Sequence, residues 1–357
     1  MSGTSLDGVD AVLADFHATS PVLLESFFCP YDDELCQQLL SLHHPGHDEL
    51  NRASILSNRL SHLYAEATVG LLQRAKFDPA QIAAVGCHGQ TIRHCPEQGR
   101  SYTIQLVNAA LLAELTSITV VNDFRSRDIA AGGQGAPLVP AFHEAVFKSV
   151  NRHRIIVNIG GIANITNLDP AAAVTGFDCG PGNLLMDAWC LLHQGKTYDQ
   201  DGAWAKTGRV IPALLQVLLE EAFFAGRPPK STGRDLFNMH WLESKLTGGE
   251  LAQDVQATLL QLTVTAIADA IKAYCPSAEE VYVCGGGAHN DALMRKLGEA
   301  IPGKYLAMTD RLGVASDWVE AFAFAWLARQ ALLRNPGNLA AVTGAKGGRV
   351  LGAIYPA

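Results

Sequence analysis

A chain of 357 residues exceeds what one hydrophobic core usually serves, so two domains are expected. Its 48% hydrophobic and 17% charged residues, with 33 glycines, describe an α/β enzyme and exclude a disordered or fibrous chain. A formal net charge of −8 argues against nucleic acid as the main partner. The sequence shows no apolar run of the roughly 18 residues a membrane span needs and no basic-then-apolar leader. Eight cysteines are scattered, and several, such as Cys284 in EVYVC, lie in apolar runs where a free thiol packs as a small hydrophobe. Together these point to a cytoplasmic protein with no membrane partner.

In chain order, MSGTSLDGVDAVLADF opens on a Gly, Ser and Thr loop able to approach an anion closely. VDAVLADF then alternates like a half-buried strand. Such a loop normally joins two strands, and none precedes it here. Residues 21–30 read as a strand, and 31–42 and 48–76 as amphipathic helices, the second capped by Asp48. His43, His44 and His47 lack partners at ligand spacing and read as a solvated loop. A buried strand over 82–86 leads to His88-Gly89-Gln90-Thr91, and strand ends are where open α/β sheets bind ligands. Cys87, His88, His94 and Cys95 match no paired zinc motif.

A strand over 102–107, a helix over 109–115 and a strand ending at Asp123 follow. Arg125 and Arg127 come next; Arg127 reads either as a clamp on an anionic or hydroxylated ligand or as a surface ion pair with Asp123 or Asp128. Gly132, Gly133 and Gly135, with Pro137 and Pro140 behind them, read as a hinge into a helix over 141–148.

The most informative stretch is IIVNIGGIANITNL…TGFDCGPGNLLMDAW. Two short strands broken by Gly160 and Gly161 precede a third strand that enters Gly180-Pro181-Gly182 and then a helix. A helix start of this kind leaves unpaired N–H groups pointing into one space suited to phosphate. Asp178 stands at its rim, where a carboxylate either does chemistry or holds a cation. The alternative is a plain turn with Asn183 as N-cap.

Residues 202–224 and 249–274 look helical, separated by RPPKSTGRDLFN. Lys230-Ser231-Thr232 is not a P-loop, because Pro229 replaces the glycine before the lysine. EVYVCGGGAHNDALMRKL is strand, triple-glycine turn and helix, but Asn290 stands where a dinucleotide fingerprint needs glycine. SDWVEAFAFAWLARQALL is a long apolar helix whose Glu320 either favours the helix dipole or meets a ligand. Glycine-rich strands, TGAKGGRVLGAIYP, close the chain.

Glycine turns at 3–8, 158–161, 180–182 and 285–287 suggest two β-rich lobes holding a polyphosphate, with another turn for a nucleoside. This arrangement resembles the actin, hexokinase and heat-shock-protein-70 superfamily. MSGTSLDGVD, GCHGQTIRH, DFRSRDIAAGGQGAPLVPAFH, NIGGIANIT, GFDCGPGNLLMDAW, PKSTGRDLFN and VCGGGAHN resemble, in this order and over essentially the whole chain, the 1,6-anhydro-N-acetylmuramic acid kinase family. The resemblance implies a two-lobed actin/hexokinase-like α/β fold with the nucleotide in the cleft between lobes: residues 1–136 with 315–357, and residues 137–314. It implies a cytoplasmic bacterial homodimer of cell-wall recycling, which uses ATP and water to open the anhydro ring and phosphorylate O6.

By the same resemblance, Gly3, Thr4, Ser5, Leu6, Asp7, Gly8, Val9 and Asp10 form the first phosphate loop, and Asn158, Gly160 and Gly161 the second. Gly285, Gly286 and Gly287 support adenosine, Asp178 is the general base, and Gln90, Thr91, Arg127 and Glu320 line the sugar pocket. A Mg²⁺ that keeps most of its waters needs only one or two carboxylates, and Asp7 is the candidate. Family members usually begin several residues earlier, with an apolar strand ahead of the SGTSLDG loop. Chaperone-like or filament-like ATPases of the same fold are the alternative reading.

Overall fold

The computed structural model describes every residue except 4–5, 18–20, 97–98 and 100. Thr4 and Ser5 of the expected first phosphate loop therefore lie outside the described residues. Two compact units emerge, residues 1–146 with 318–357, and residues 147–317. The divisions fall after Val146 and Asp317, against the 136 and 314 expected from the sequence.

In the first unit, β1 (Gly8–Asp15) pairs antiparallel with β2 (Val22–Pro30), Gly8 lying opposite Pro30. The alternation of VDAVLAD buries Val9 and Leu13. α1 (Asp33–Ser41) is capped by the Asp32 carboxylate, which accepts the Leu35 N–H at 2.7 Å. α2 (Glu49–Ala75) buries Leu56, Leu60 and Tyr64 at four-residue spacing. Asp48 does not cap it: the residue is left-handed at φ 52° and its carboxylate takes the Asn51 amide at 2.9 Å instead.

β3 (Val85–Gly86) is shorter than the sequence suggests, and β4 (Gln90–Cys95) forms an antiparallel pair with β5 (Tyr102–Leu106). Gln90 and Thr91 thus open a strand rather than a strand-end loop. α3 (Ala109–Thr116), β6 (Val120–Asn122), α4 (Ser126–Ala130) and α5 (Val139–Phe147) follow.

The glycines between α4 and α5 are tied down rather than free to hinge. Gly133 N–H donates to the Asp128 carbonyl at 2.9 Å and Gln134 N–H to the Thr343 carbonyl at 2.8 Å. The fully buried Asp128 carboxylate accepts from Gly135 N–H at 2.8 Å, Asn338 Nδ2 at 2.6 Å and Thr343 Oγ1 at 2.7 Å. A buried carboxylate persists only with such partners.

The second unit is built on a five-stranded sheet. β7 (Arg154–Ile159), β8 (Ile162–Leu168) and β9 (Thr175–Pro181) form an antiparallel meander. α6 (Leu184–Gln194) leaves the end of β9. The expected helix over 202–224 begins only with α7 (Pro212–Leu219), because Pro212 can only begin a helix, and the short α8 (Ala222–Ala225) follows separately. α9 (Met239–Glu243) and α10 (Ala252–Tyr274) come next, α10 burying most of its length in the core. β10 (Glu280–Cys284), α11 (Asp291–Ala300) and β11 (Tyr305–Met308) complete the unit.

The strand order is β11-β10-β7-β8-β9, with β10 parallel to both β7 and β11. Ile155, Ile156, Val157 and Ile159 of β7 are all fully buried, each worth about 1.5–3 kcal/mol, as expected of a strand covered on both faces. Cys284 pairs with Asn158, so the turns leaving β7 and β10 emerge side by side.

The chain then returns to the first unit through α12 (Val319–Leu332), α13 (Ala340–Thr343) and β12 (Ala353–Tyr355). The closing stretch holds this one three-residue strand, paired antiparallel with β6, where the sequence suggested several.

Candidate active site

Three of the expected loops meet inside the second unit. The β7–β8 tip, Gly160 and Gly161, accepts the helix-start donors: Gly182 N–H to the Gly161 carbonyl at 2.9 Å, Asn183 N–H to the Gly160 carbonyl at 2.8 Å and Leu184 N–H to the Gly161 carbonyl at 3.2 Å. These N–H groups, which the sequence reading left open for phosphate, are therefore occupied. Asn183 stands at the N-cap position, but its side chain makes no capping bond; its amide donates to the Ile159 carbonyl at 3.2 Å.

Among the described residues, neither the Gly160 nor the Gly161 N–H meets an acceptor, so the hairpin tip, not the helix start, offers donors to an anion. Gly182 is required because a Cβ there would overlap the Gly160 carbonyl oxygen. Gly285 has φ +80°, and a Cβ would run into the Asn158 side-chain oxygen. Asn158, Gly160, Gly161, Gly285, Gly286 and Gly287 are thus brought together.

Asp178 stands beside a β-bulge: it lies opposite Asn164 while Gly180 lies opposite Ala163, leaving Cys179 as the extra residue. Its backbone N–H donates to the Lys230 carbonyl at 3.1 Å, and its Oδ2 accepts the Thr232 N–H at 2.9 Å. Lys230 Nζ in turn donates to the Phe223 and Phe224 carbonyls at 3.0 and 3.3 Å and lies 4.4 Å from the Phe223 ring centroid. The RPPKSTGRDLFN run, rejected from sequence as a P-loop and given no role there, is therefore the holder of Asp178.

Burial pushes the Asp178 carboxyl up to about 7, opposed by the Thr232 N–H and the Lys230 ammonium. Nearby on α6, burial also raises Asp187 to about 7, with Arg234 opposing and Asp199 adding to the shift.

In the first unit, Met1 and Asp10 exchange backbone hydrogen bonds at 2.8 and 2.7 Å, which sets the opening residues antiparallel to β1. Ser2 Oγ is 2.6 Å from the Tyr64 hydroxyl. Gln90, only 1% exposed, donates through Nε2 to the Gly3 carbonyl at 3.0 Å, and its Oε1 accepts from the Tyr31 hydroxyl at 3.4 Å. Thr91 Oγ1 accepts from Gln105 Nε2 at 3.1 Å. Leu6 is buried at φ +59°, Gly8 and Val9 enter β1, and Asp7 is exposed.

Arg127 is exposed on α4, and no ion pair among the described residues includes it. Arg125 is the arginine turned inward. Its Nε donates to His88 Nε2 at 3.0 Å and its Nη1 to the Gly135 carbonyl at 2.8 Å. Burial lowers Arg125 to about 10, opposed by Glu320, which is part-buried at the start of α12, and by Asp128. Burial and the Arg125 charge push His88 well below its ordinary range, so the ring is neutral and accepts through Nε2.

The family model described as Anhydro-N-acetylmuramic acid kinase matches residues 1–357. The chain belongs to that family. Two of its relatives, named as the anhydro-N-acetylmuramic acid kinases of Nitrosomonas europaea and Nitrosospira multiformis, are each 60% identical over all of this chain and 98% of their own. That of Thiobacillus denitrificans is 55% identical over all of this chain and 96% of its own. A solved xylulose kinase from Rhodospirillum rubrum aligns at 13% identity and TM-score 0.31 over 60% of this chain and 45% of that one, too loosely to carry an argument.

As a member of the anhydro-N-acetylmuramic acid kinase family the chain is a phosphotransferase. No helix among the described residues is long and apolar enough to cross a membrane. In such a kinase a carboxyl near 7 is poised to titrate at neutral pH. Lys230→Met should therefore move the acid limb of the kcat/KM pH profile to higher pH, whereas Lys230→Arg should leave it in place. An unmoved limb in the methionine variant would separate Lys230 from Asp178.

Proposed function

We propose that this kinase uses ATP and water to open the 1,6-anhydro ring of anhydro-N-acetylmuramic acid and to phosphorylate O6, giving N-acetylmuramic acid 6-phosphate. The observation that carries the reading is Asp178: a carboxyl raised to about 7, one oxygen held by Thr232, beside backbone turns suited to phosphate. A bridged sugar has no hydroxyl at O6, so the acceptor must be made by breaking the C1–O6 bond. Asp178 takes a proton from water as the water oxygen bonds C1. The C1–O6 pair leaves with O6, which attacks the γ-phosphorus in line as the bond to ADP breaks.

Gly160 and Gly161 N–H groups meet phosphate oxygens, and the Gly285–287 turn lets the nucleoside lie against bare backbone. The loop from Gly3 to Asp10 is the second grip on phosphate, and Gln90, Thr91, Arg127 and Glu320 serve the sugar. Gln90 joins these two groups of residues, since its side chain holds the Gly3 carbonyl. Mg²⁺ accompanying the nucleotide would neutralise phosphate charge. The exposed Asp7 suits an ion that keeps most of its waters. The enzyme acts as a cytoplasmic homodimer in recycling cell-wall sugar, a reading supported by family membership over the whole chain.

Turnover in ¹⁸O-water tests the chemistry. The label should appear on C1 of the sugar product and not in its phosphate; label in the phosphate would mean plain ATP hydrolysis.

A further inference from the structure

Two backbone groups grip Asp178: the Lys230 carbonyl accepts its N–H at 3.1 Å, and the Thr232 N–H donates to its Oδ2 at 2.9 Å. They lie in residues 226–238, a run with no helix or strand, so their place depends on what anchors that run at each end. At its start the Lys230 ammonium donates to the Phe223 and Phe224 carbonyls at 3.0 and 3.3 Å, which ties the run to α8. A helix of four residues does not stand by itself. It is held from outside: a Cβ on Gly180 would lie 2.7 Å from Phe224 Cε1, so that ring rests on β9 two residues beyond Asp178.

The far end of the run returns to the same helix. Asn238 donates through Nδ2 to the Arg234 carbonyl at 3.0 Å and accepts the Trp241 N–H at 2.9 Å. The Trp241 indole, 8% exposed, packs edge-on against Phe237 and donates its Nε1–H to Glu221 Oε2 at 2.9 Å. Glu221 is the N-cap of α8, its other oxygen accepting the Ala222 N–H at 3.0 Å. Phenylalanine would pack on Phe237 as well but would not carry the N–H that reaches the carboxylate. The bond from Trp241 to Glu221 therefore closes a ring of contacts through α8, Lys230 and the two groups on Asp178.

We propose that Trp241 is a positioning residue for the reaction: its indole N–H, through Glu221 and α8, sets where Lys230 and Thr232 hold Asp178. In this role it touches neither sugar nor nucleotide and moves no proton. This assignment rests on reading Asp178 as the base.

The test measures kcat, KM for ATP, the acid limb of the kcat/KM pH profile and Tm in the full-length enzyme, for Trp241→Phe, Glu221→Ala, the two combined, Glu221→Gln and Asp178→Asn. Trp241→Phe loses the donor and Glu221→Ala the acceptor. Each should lower kcat about 10-fold, with KM for ATP within about twofold of the parent. Each should also move the limb to higher pH, since the Thr232 N–H and the Lys230 ammonium oppose the effect of burial on Asp178. The adjoining Cys179 thiol, pushed well above its ordinary range by burial and by Asp178, stays neutral throughout. The combined variant should lose no more than either alone, because one bond is broken once; losses that multiply would overturn the proposal. Glu221→Gln keeps an acceptor oxygen and should stay within about threefold of the parent, its limb in place; a loss equal to that of Glu221→Ala would count against the bond. A packing role predicts a lower Tm with kcat and limb unmoved, and that result in Trp241→Phe, measured well below its Tm, would also overturn it. An active Asp178→Asn would discard the base and the Trp241 role with it; an inactive one beside a parent-like Trp241→Phe would discard the Trp241 role alone.

Discussion

Asp178→Asn should abolish sugar phosphorylation while leaving ATP affinity nearly intact. Asparagine keeps an oxygen for the Thr232 N–H, so the RPPKSTGRDLFN segment stays in place, but it cannot take a proton from water. General-base help is typically worth ~10²–10⁴ in rate, and turnover retained within tenfold would remove Asp178 from the mechanism. In the parent enzyme kcat/KM should rise with pH through about 7, where the carboxyl ionises.

The same shift fixes the sign of a stability control. A carboxyl whose folded pKa is raised from 3.8 to about 7 holds its proton more tightly in the fold. Its contribution to stability is full below the unfolded pKa and is lost as pH rises through the folded one. Asparagine carries no charge to bury. The variant should therefore melt no lower than the parent at any pH and higher than it above about pH 7. Lower melting there would mean that the substitution disturbs the fold and that its lost activity says nothing about proton transfer.

Asp128→Ala should lower stability by about 3–5 kcal/mol, measured by urea unfolding. The carboxylate receives Gly135 N–H, Asn338 Nδ2 and Thr343 Oγ1 at 2.8, 2.6 and 2.7 Å inside a site with no exposure. Alanine leaves those donors without an acceptor, each orphan costing about 1–3 kcal/mol and not additively. Asp128→Asn keeps one acceptor oxygen and should lose less. A loss below about 1 kcal/mol in the alanine variant would mean that water replaces the carboxylate and the knot is not structural.

What the sequence made legible was local. VDAVLADF, the strands around Gly160 and Gly161, and EVYVC before its glycines appear as β1, β7, β8 and β10 because alternation or unbroken apolar character and glycine turns act over a few residues. Asp178 was legible from its place before the Gly-Pro-Gly turn. Lys230 and Thr232 were not, since they reach it across about 50 residues through a backbone carbonyl and a backbone N–H, groups that every such residue carries.

Nothing in the spacing of Arg125 and Arg127 separated the half-buried, bonded arginine from the exposed one. The glycine run after α4 has the composition of a hinge, and only a carboxylate bonded to residues more than 200 positions away makes it rigid. The donors at the start of α6 are open in any isolated strand-turn-helix; the neighbouring hairpin closes them.

The Asp128 knot also bears on the order in which the chain becomes protein. Its partners Asn338 and Thr343 lie 210 and 215 residues further along the chain than Asp128, whereas residues 147–317 form one uninterrupted span between them. During synthesis that span holds all of its own sequence while the earlier residues still wait for their closing segment. The residues ahead of that span are therefore completed after it, and a nascent chain would be vulnerable to proteases at residues 131–135 until Asn338 and Thr343 arrive.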